Sequence, residues 1–398
     1  MSISISSYSV HQTILLYLTS SKNVLSSRHM NREIRSTLSK QGILTLEVIE
    51  TPMPEPGPDQ VVVEIHAAPI NPSDVGVLFG LSNMISTDLI GTTANPKPIQ
   101  YPSAITSHMK GRWDSPLPSG NEGSGVVVKA GSNMEHLMGK VVALFGANSF
   151  AKYRCVPGIS CMVMNEGTTP DQAAASCVNP FTALGMVATM KMENHKAIIN
   201  TAAASNLGQM LLKVCKSDGI PLINIVRRQE QLDLLKSIGG EYVLNSSDEN
   251  FTSDLIDAIS ETGATLAFEC IGGGSMAGQI LDAMEKSLAS NADTYSVYGT
   301  TTMKQVYIYG SLNQAPTTFT RSFGLYWNIG GWLVTPIIQR IGMEGFMAMQ
   351  KRVANEIHTT FKSSFHKSIS LDQMCEPDHI IEYVKAGSGK KYLLKPQL

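Results

Sequence analysis

Apolar and polar residues alternate in one rhythm over the first part of the chain and another over the middle. From Arg32 to about Met164 the apolar runs are short. Val61, Val63 and Ile65 alternate against Val62 and Glu64, the period of a strand with two distinct faces. Residues 43–49, 61–67, 123–130, 140–145 and 150–156 read as strands. Thr51-Pro-Met-Pro-Glu-Pro-Gly-Pro58 between two of them cannot lie inside a sheet. Many short strands punctuated by Gly and Pro predict a barrel-like β domain.

At about Thr168 the rhythm changes. Residues 196–200, 221–226, 241–245, 264–271 and 305–309 are short apolar strands. Between them, Leu207, Leu211, Val214 and Cys215 share one helix face, with Gly219 where a C-cap belongs. Leu232, Leu235 and Ile238 line a helix over 229–238, and Leu255, Ile256 and Ile259 one over 251–262. Residues 275–288 form another, after the Gly272-Gly-Gly274 stop. Strands alternating with helices predict βαβ units in a doubly wound parallel sheet. The fold class is α/β.

Composition narrows the partners. The 398 residues are 43% hydrophobic, enough for two cored domains. Lys+Arg at 31 against Asp+Glu at 33 gives a net charge of −2, which argues against nucleic acid. The six cysteines form no Cys-x-x-Cys pair, so reduced thiols in a reducing compartment are expected. No apolar run approaches the ~18 residues of a membrane span, so no membrane partner is expected. Residues 1–31 lack Asp and Glu and are rich in Ser. Residues 1–30 are read as a disordered extension of a cytoplasmic protein, or as a transit peptide to the mitochondrial matrix. The Ser-, Thr-, Pro- and Gly-rich stretch 81–119 reads as a lid or mobile insert.

The candidate chemistry begins at Thr201-Ala-Ala-Ala-Ser-Asn-Leu-Gly-Gln209, where a strand runs into a helix. Such a turn can hold a pyrophosphate on helix N–H groups. The G-x-G-x-x-G positions are Ala203, Ser205 and Gly208, and only the last is Gly. A plain strand–helix turn would look similar, but the βα units that follow favour the nucleotide. Arg227-Arg228 stands after the second strand, where an NAD site carries an acid on the ribose 2′-hydroxyl. Arg grips a 2′-phosphate with paired N–H donors, so the expected cofactor is NADP(H); two solvated arginines are the alternative. Cys270-Ile-Gly-Gly273 and Tyr307-Ile-Tyr-Gly-Ser311 sit at strand ends, where ligands of open α/β sheets lie. No metal site is expected. Gly120-Asn-Glu-Gly-Ser-Gly125 carries Asn121 where a zinc enzyme of this plan carries His, and the nine His are scattered.

Ile70-Asn-Pro-Ser-Asp74, Gly120-Asn-Glu-Gly123, Val178-Asn-Pro-Phe-Thr-Ala183, the Ala-Ser-Asn-Leu-Gly turn, Asn224-Ile-Val-Arg227 and Tyr309-Gly310 occur in that order. The chain thereby resembles the medium-chain dehydrogenase/reductase superfamily, in its zinc-free branch of quinone oxidoreductases and enoyl thioester reductases, over residues 32 to 398. The resemblance implies a GroES-like β-barrel catalytic domain at 31–167, with the insert 81–119, completed by 341–398. It implies a central Rossmann domain at 168–340, an interdomain cofactor and a homodimer. Carried over by position, Asn179 and Thr182 lie beside the cofactor, and Ala204, Ser205, Asn206, Leu207 and Gly208 cradle the pyrophosphate. Arg227 and Arg228 meet the 2′-phosphate. Tyr309, Gly310, Ser311 and Leu312 border the nicotinamide. Gly331, Trp332, Leu333 and Lys390 are further cofactor contacts, and Asn71 is a polar group in the substrate pocket.

One departure concerns the proton. Enoyl thioester reductases carry a catalytic Tyr shortly after the Asn-Pro-x-Asp motif, and here 75–84 contains none. Tyr101 and His108 in the insert could replace it but read as loop residues, and Tyr153 as packing. The function expected is therefore NADPH-dependent hydride transfer to a small-molecule electrophile, a quinone or a carbonyl-conjugated alkene. Reduction of 2-enoyl-CoA or acyl-carrier thioesters is the alternative, and a catalytically silent NADP-binding sensor or interaction protein a third.

Overall fold

The structure is a computed structural model and describes residues 30–80, 91–92, 95–97, 99–385 and 391–398. The chain forms two compact units. The first runs to Ala174 and takes up the chain again from Phe365; the second begins at Ala175 and ends at Ser364. The second crossing falls later than the 340 read from sequence, because the helix Val334–Glu356 stays with the second unit. The proposed extension 1–30 lies outside the described residues but for Met30, and the insert 81–119 partly so.

The first unit is β-rich. Met30–Leu38 pairs antiparallel with Ile43–Pro52. In a second sheet Gln60–Ile70 is central, flanked by Glu122–Ala130 and by the late strand Tyr392–Leu394. An early and a late segment of the chain thus share one sheet. Ile34, Leu38, Val63, Ile65, Leu144 and Leu394, from both sheets, belong to one buried core. The helix Pro72–Phe79 starts at Asn71 with Pro at its first turn, as a helix N-terminus favours.

The second unit carries six parallel strands in the spatial order Tyr242–Asn245, Leu222–Val226, Ile198–Thr201, Leu266–Glu269, Lys304–Ile308, Trp327–Gly331. Chain order reverses between Ile198–Thr201 and Leu266–Glu269, which are neighbours. The helices Asn206–Asp218 and Phe251–Thr262 both end on a left-handed glycine, Gly219 and Gly263. Ile199, Ile223, Ala267 and Val306 form one core with Leu255, Ile259, Ile280 and Met284 of the helices. Pro170–Met192 is apolar enough over 18 residues to cross a membrane, contrary to the sequence reading. That window is 78% buried inside the protein, as a core helix is.

Candidate functional site

In the second unit the strand Ile198–Thr201 ends in the turn that sequence assigned to the pyrophosphate. Ala202 holds φ at +46°, a left-handed conformation costly for a residue with a Cβ. Ser205 does the work of a cap rather than of a glycine: its side chain accepts from Gly208 N at 3.1 Å. Gly208 keeps its identity for a steric reason. A Cβ there would stand 2.1 Å from Ala203 O, so only glycine lets the helix start this close to the turn. Gln209 Nε2 donates to Ala204 O at 2.9 Å, and Asn206 Nδ2 to Ser363 Oγ at 3.0 Å. Leu207 is half-buried in the first helical turn.

Arg227 and Arg228 follow the neighbouring strand Leu222–Val226, and both side chains are exposed. Backbone contacts fix their loop: Gln231 Oε1 accepts from Arg227 N at 3.2 Å, and Ser247 Oγ donates to Arg227 O at 3.0 Å. Arg228 Nε lies 3.8 Å from Glu230, a solvated pair that leaves the guanidinium available.

Beyond the strands Lys304–Ile308 and Trp327–Gly331 lies a cavity of about 480 Å³, lined by Ile308, Tyr309, Gly310, Ser311, Gly331, Trp332, Leu333 and Pro336. Six of these eight were named from sequence. Trp332 is the fixed wall. Its Nε1 donates to Thr189 Oγ1 at 3.0 Å, and its ring meets Phe268 and Tyr309 edge-on, with centroids 5.4 and 6.4 Å apart. Gly310 is required where it stands, since a Cβ would come within 2.5 Å of Cys270 O. Leu312 and Leu333 expose 67% and 70% of their surface. Thr182 Oγ1 donates back to Val178 O at 2.6 Å, and Asn179 is half-buried one residue into the same helix. Lys390 lies outside the described residues.

Sequence reasoning missed Glu269, the last residue of Leu266–Glu269. It is 1% exposed and accepts from Ile271 N and Gly272 N at 2.7 Å each and from Thr201 Oγ1 at 3.2 Å. An acid at the end of an apolar strand was its only signal. The adjacent Cys270 thiol is pushed up to about 11, chiefly by burial, and burial likewise raises the Tyr309 phenol that bonds it.

The first unit holds a separate buried polar cluster. Asn71 Nδ2 donates to Glu122 Oε1 at 2.9 Å, while the Asp74 carboxylate accepts from Asn71 N at 2.9 Å and Asn121 N at 2.7 Å. Lys391 Nζ stands 3.7 Å from Glu122. Burial pushes the Asp74 carboxyl up to about 7 despite its two N–H donors, and burial lowers the Lys391 ammonium. Asn71, expected as a substrate-pocket group, is 3% exposed and caps this helix. Asn121 Nδ2 donates to Ser73 Oγ at 2.9 Å, and among the described residues no group of three His, Cys, Asp or Glu could hold a metal. Tyr101 is buried with its hydroxyl on Phe79 O at 2.7 Å, and Tyr153 donates to Glu64 Oε1 at 3.1 Å.

These features can be set beside known proteins. The family described as zinc-binding dehydrogenase matches residues 207–324, which hold four of the six strands of this sheet and the helices between them. A mitochondrial enoyl-[acyl-carrier-protein] reductase of Caenorhabditis elegans is 29% identical over 251 residues, 61% of this chain and 64% of the relative. A protein of Leishmania amazonensis named a probable quinone oxidoreductase is 26% identical over 242 residues, 60% and 62% of the two chains. The chain is thus similar to members of the medium-chain dehydrogenase/reductase superfamily. Its aligned part spans under two thirds of the length of those curated relatives. A solved complex of Etr1p with NADP and crotonyl-CoA superposes with a TM-score of 0.64 at 18% identity, covering 92% of this chain and 99% of that one, and so shows a shared fold.

Proposed function

We propose that the chain is an NADPH-dependent, zinc-independent reductase whose acceptor is a quinone or an alkene conjugated to a carbonyl. The observation that carries this is the joint presence, in one unit, of three features. They are a turn that only Gly208 permits, an exposed arginine pair at the end of the next strand, and a glycine-floored cavity against Trp332. The residues fit a dinucleotide. The start of the helix Asn206–Asp218 offers N–H donors to a pyrophosphate, and Arg227 with Arg228 fits a 2′-phosphate better than a hydroxyl. Ala204, Ser205, Asn206 and Leu207 would frame the pyrophosphate, and Tyr309, Gly310, Ser311 and Leu312 the nicotinamide. Bound NADPH supplies a hydride from the ring to the acceptor. The chain's part is to orient the ring, exclude water and polarise the acceptor.

Enoyl thioester reduction is the second reading, favoured by the Caenorhabditis relative. Against it, 75–84 carries no Tyr and the Tyr101 hydroxyl is committed to a helix carbonyl. A homodimer is supported by the open edge strand Trp327–Gly331, next to exposed Leu325 and Tyr326. Six cysteines that form no disulfide support a reducing compartment such as the cytoplasm. NADPH oxidation followed at 340 nm against a panel of quinones, enones and enoyl thioesters tests the proposal. Turnover on quinones or enones is expected; no oxidation above blank with any acceptor overturns it.

A further inference from the structure

We infer that Glu269 biases the bound coenzyme toward its oxidised form, so that this residue sets the driving force for hydride donation. The inference rests on the NADPH reading above and deepens it.

Position comes first. In an open parallel sheet, ligands lie beyond the C-terminal strand ends where chain order reverses. Here the reversal falls between Ile198–Thr201 and Leu266–Glu269, and Thr201 and Glu269 are their last residues. Both Glu269 oxygens accept hydrogen bonds, and the three donors are two backbone N–H groups and one hydroxyl, none of them a cation. The carboxyl group is therefore held by neutral donors, with no cation among the three. Its charge reaches the cavity wall. Burial is the main cause raising the Cys270 thiol and the Tyr309 phenol, but the Glu269 charge adds to both. Tyr309 lines the cavity, and its backbone N–H donates to Glu269 O at 3.0 Å.

Chemistry supplies the asymmetry. The nicotinamide ring is a cation when oxidised and neutral when reduced. Loss of a hydride, two electrons with one proton, goes to the quinone or enone and leaves the positive ring behind. A fixed buried anion near that ring lowers the free energy of the cation and leaves the neutral form nearly unaffected. Anchoring the 270–272 turn does not by itself call for a charge, since a hydroxyl or amide oxygen can accept from backbone N–H groups.

The test compares dissociation constants of NADP⁺ and NADPH for the full chain, by calorimetry or quenching of protein fluorescence. Glu269→Gln is expected to raise the ratio Kd(NADP⁺)/Kd(NADPH) by about fivefold or more. Glu269→Asp, which keeps the charge, is expected to restore the ratio. If Glu269→Gln weakens both forms equally, the residue only holds the turn and the inference is overturned. If neither form binds the wild-type protein, it is the coenzyme reading that fails. Should Glu269→Gln not fold, the wild type decides. NADP⁺ is expected to bind at least as tightly as NADPH, and a tenfold preference for NADPH overturns the inference.

Discussion

Gly208→Ala isolates the steric claim at the turn proposed to hold the pyrophosphate. The added methyl would lie 2.1 Å from Ala203 O, 2.6 Å from Ala203 C and 2.7 Å from Ala203 Cα. Carbon atoms in contact rest at about 3.5–4.0 Å, so the helix start must move away by about 1 Å or more. The obstacle is backbone, and no rotamer change relieves it. Ala203 cannot retreat freely, because its N–H donates to Ile225 O at 3.2 Å inside the sheet. Shifting the helix would also stretch the Ser205 cap on Gly208 N. Overpacking of this kind costs about 1–3 kcal/mol, and the lost cap about 1 kcal/mol more. The expected loss is therefore about 2–4 kcal/mol, read as a lower urea midpoint by circular dichroism. NADPH affinity, measured by fluorescence titration, is expected to fall about tenfold or more as the N–H donors leave register, since tenfold needs only about 1.4 kcal/mol. A variant with wild-type urea midpoint and wild-type NADPH affinity would show that the helix start does not need this close approach, and the pyrophosphate assignment would go with it.

Arg227→Ala/Arg228→Ala is expected to raise the Kd for NADPH by about tenfold or more and to leave NADH binding unchanged, as loss of charge-assisted bonds to one phosphate would do. Equal loss for both coenzymes would refute the 2′-phosphate role. Asp74, facing Glu122 and Lys391 in a buried cluster, has its carboxyl raised to about 7. The folded state thus keeps a proton that the unfolded chain releases near pH 4. Stability is full below that pH and falls as pH rises toward 7, by up to about 4 kcal/mol. Asp74→Asn is expected to flatten this slope in urea melts run from pH 4 to 8, and an unchanged slope would place the titration elsewhere. Leu325→Glu/Tyr326→Glu, on residues 74% and 49% exposed, is expected to turn a dimer into a monomer by light scattering without lowering the thermal midpoint.

The alternating half of the chain was legible because each βα unit carries its own period and its own stop. The helix read over 251–262 is found as Phe251–Thr262, since Leu255 and Ile259 face the core and Gly263 ends it. The residues proposed for the cofactor fall at neighbouring strand ends for a related reason: order of motifs fixes which ends meet in a parallel sheet. The edge strand Trp327–Gly331 was not read, because two of its five residues are glycine and no alternation survives at an edge. Nor was the helix Val334–Glu356, where Gly342 breaks the backbone and the buried positions are Ile337, Val353 and Ala354, too few for an amphipathic stripe. Glu269 escaped because its partners are backbone N–H groups, whose direction depends on the turn and not on any residue type. Ser205 shows the converse: a missing glycine looked like a weakened motif, yet the serine supplies a helix cap.

The two acceptor classes differ in where the proton goes, and that difference is measurable. A quinone reduced by hydride collects its proton on oxygen, which water can deliver. An enoyl thioester takes hydride at the β carbon and must then receive a proton at the α carbon, where a positioned donor makes delivery one-sided. In the first unit the Tyr101 hydroxyl donates to Phe79 O from a site 2% exposed, and Tyr153 is engaged by Glu64. Moving either phenol to a substrate would leave a helix carbonyl or a carboxylate without its donor, a cost of about 1–3 kcal/mol in the buried case. Any enoyl thioester turned over by this chain is therefore expected to receive its α proton from water on both faces. Run in D₂O with NADPH, the saturated product should carry deuterium at the α carbon in both configurations, and quinone turnover should exceed it. A single configuration would reveal a dedicated donor that neither tyrosine supplies, and would return the enoyl thioester to first place among the acceptors.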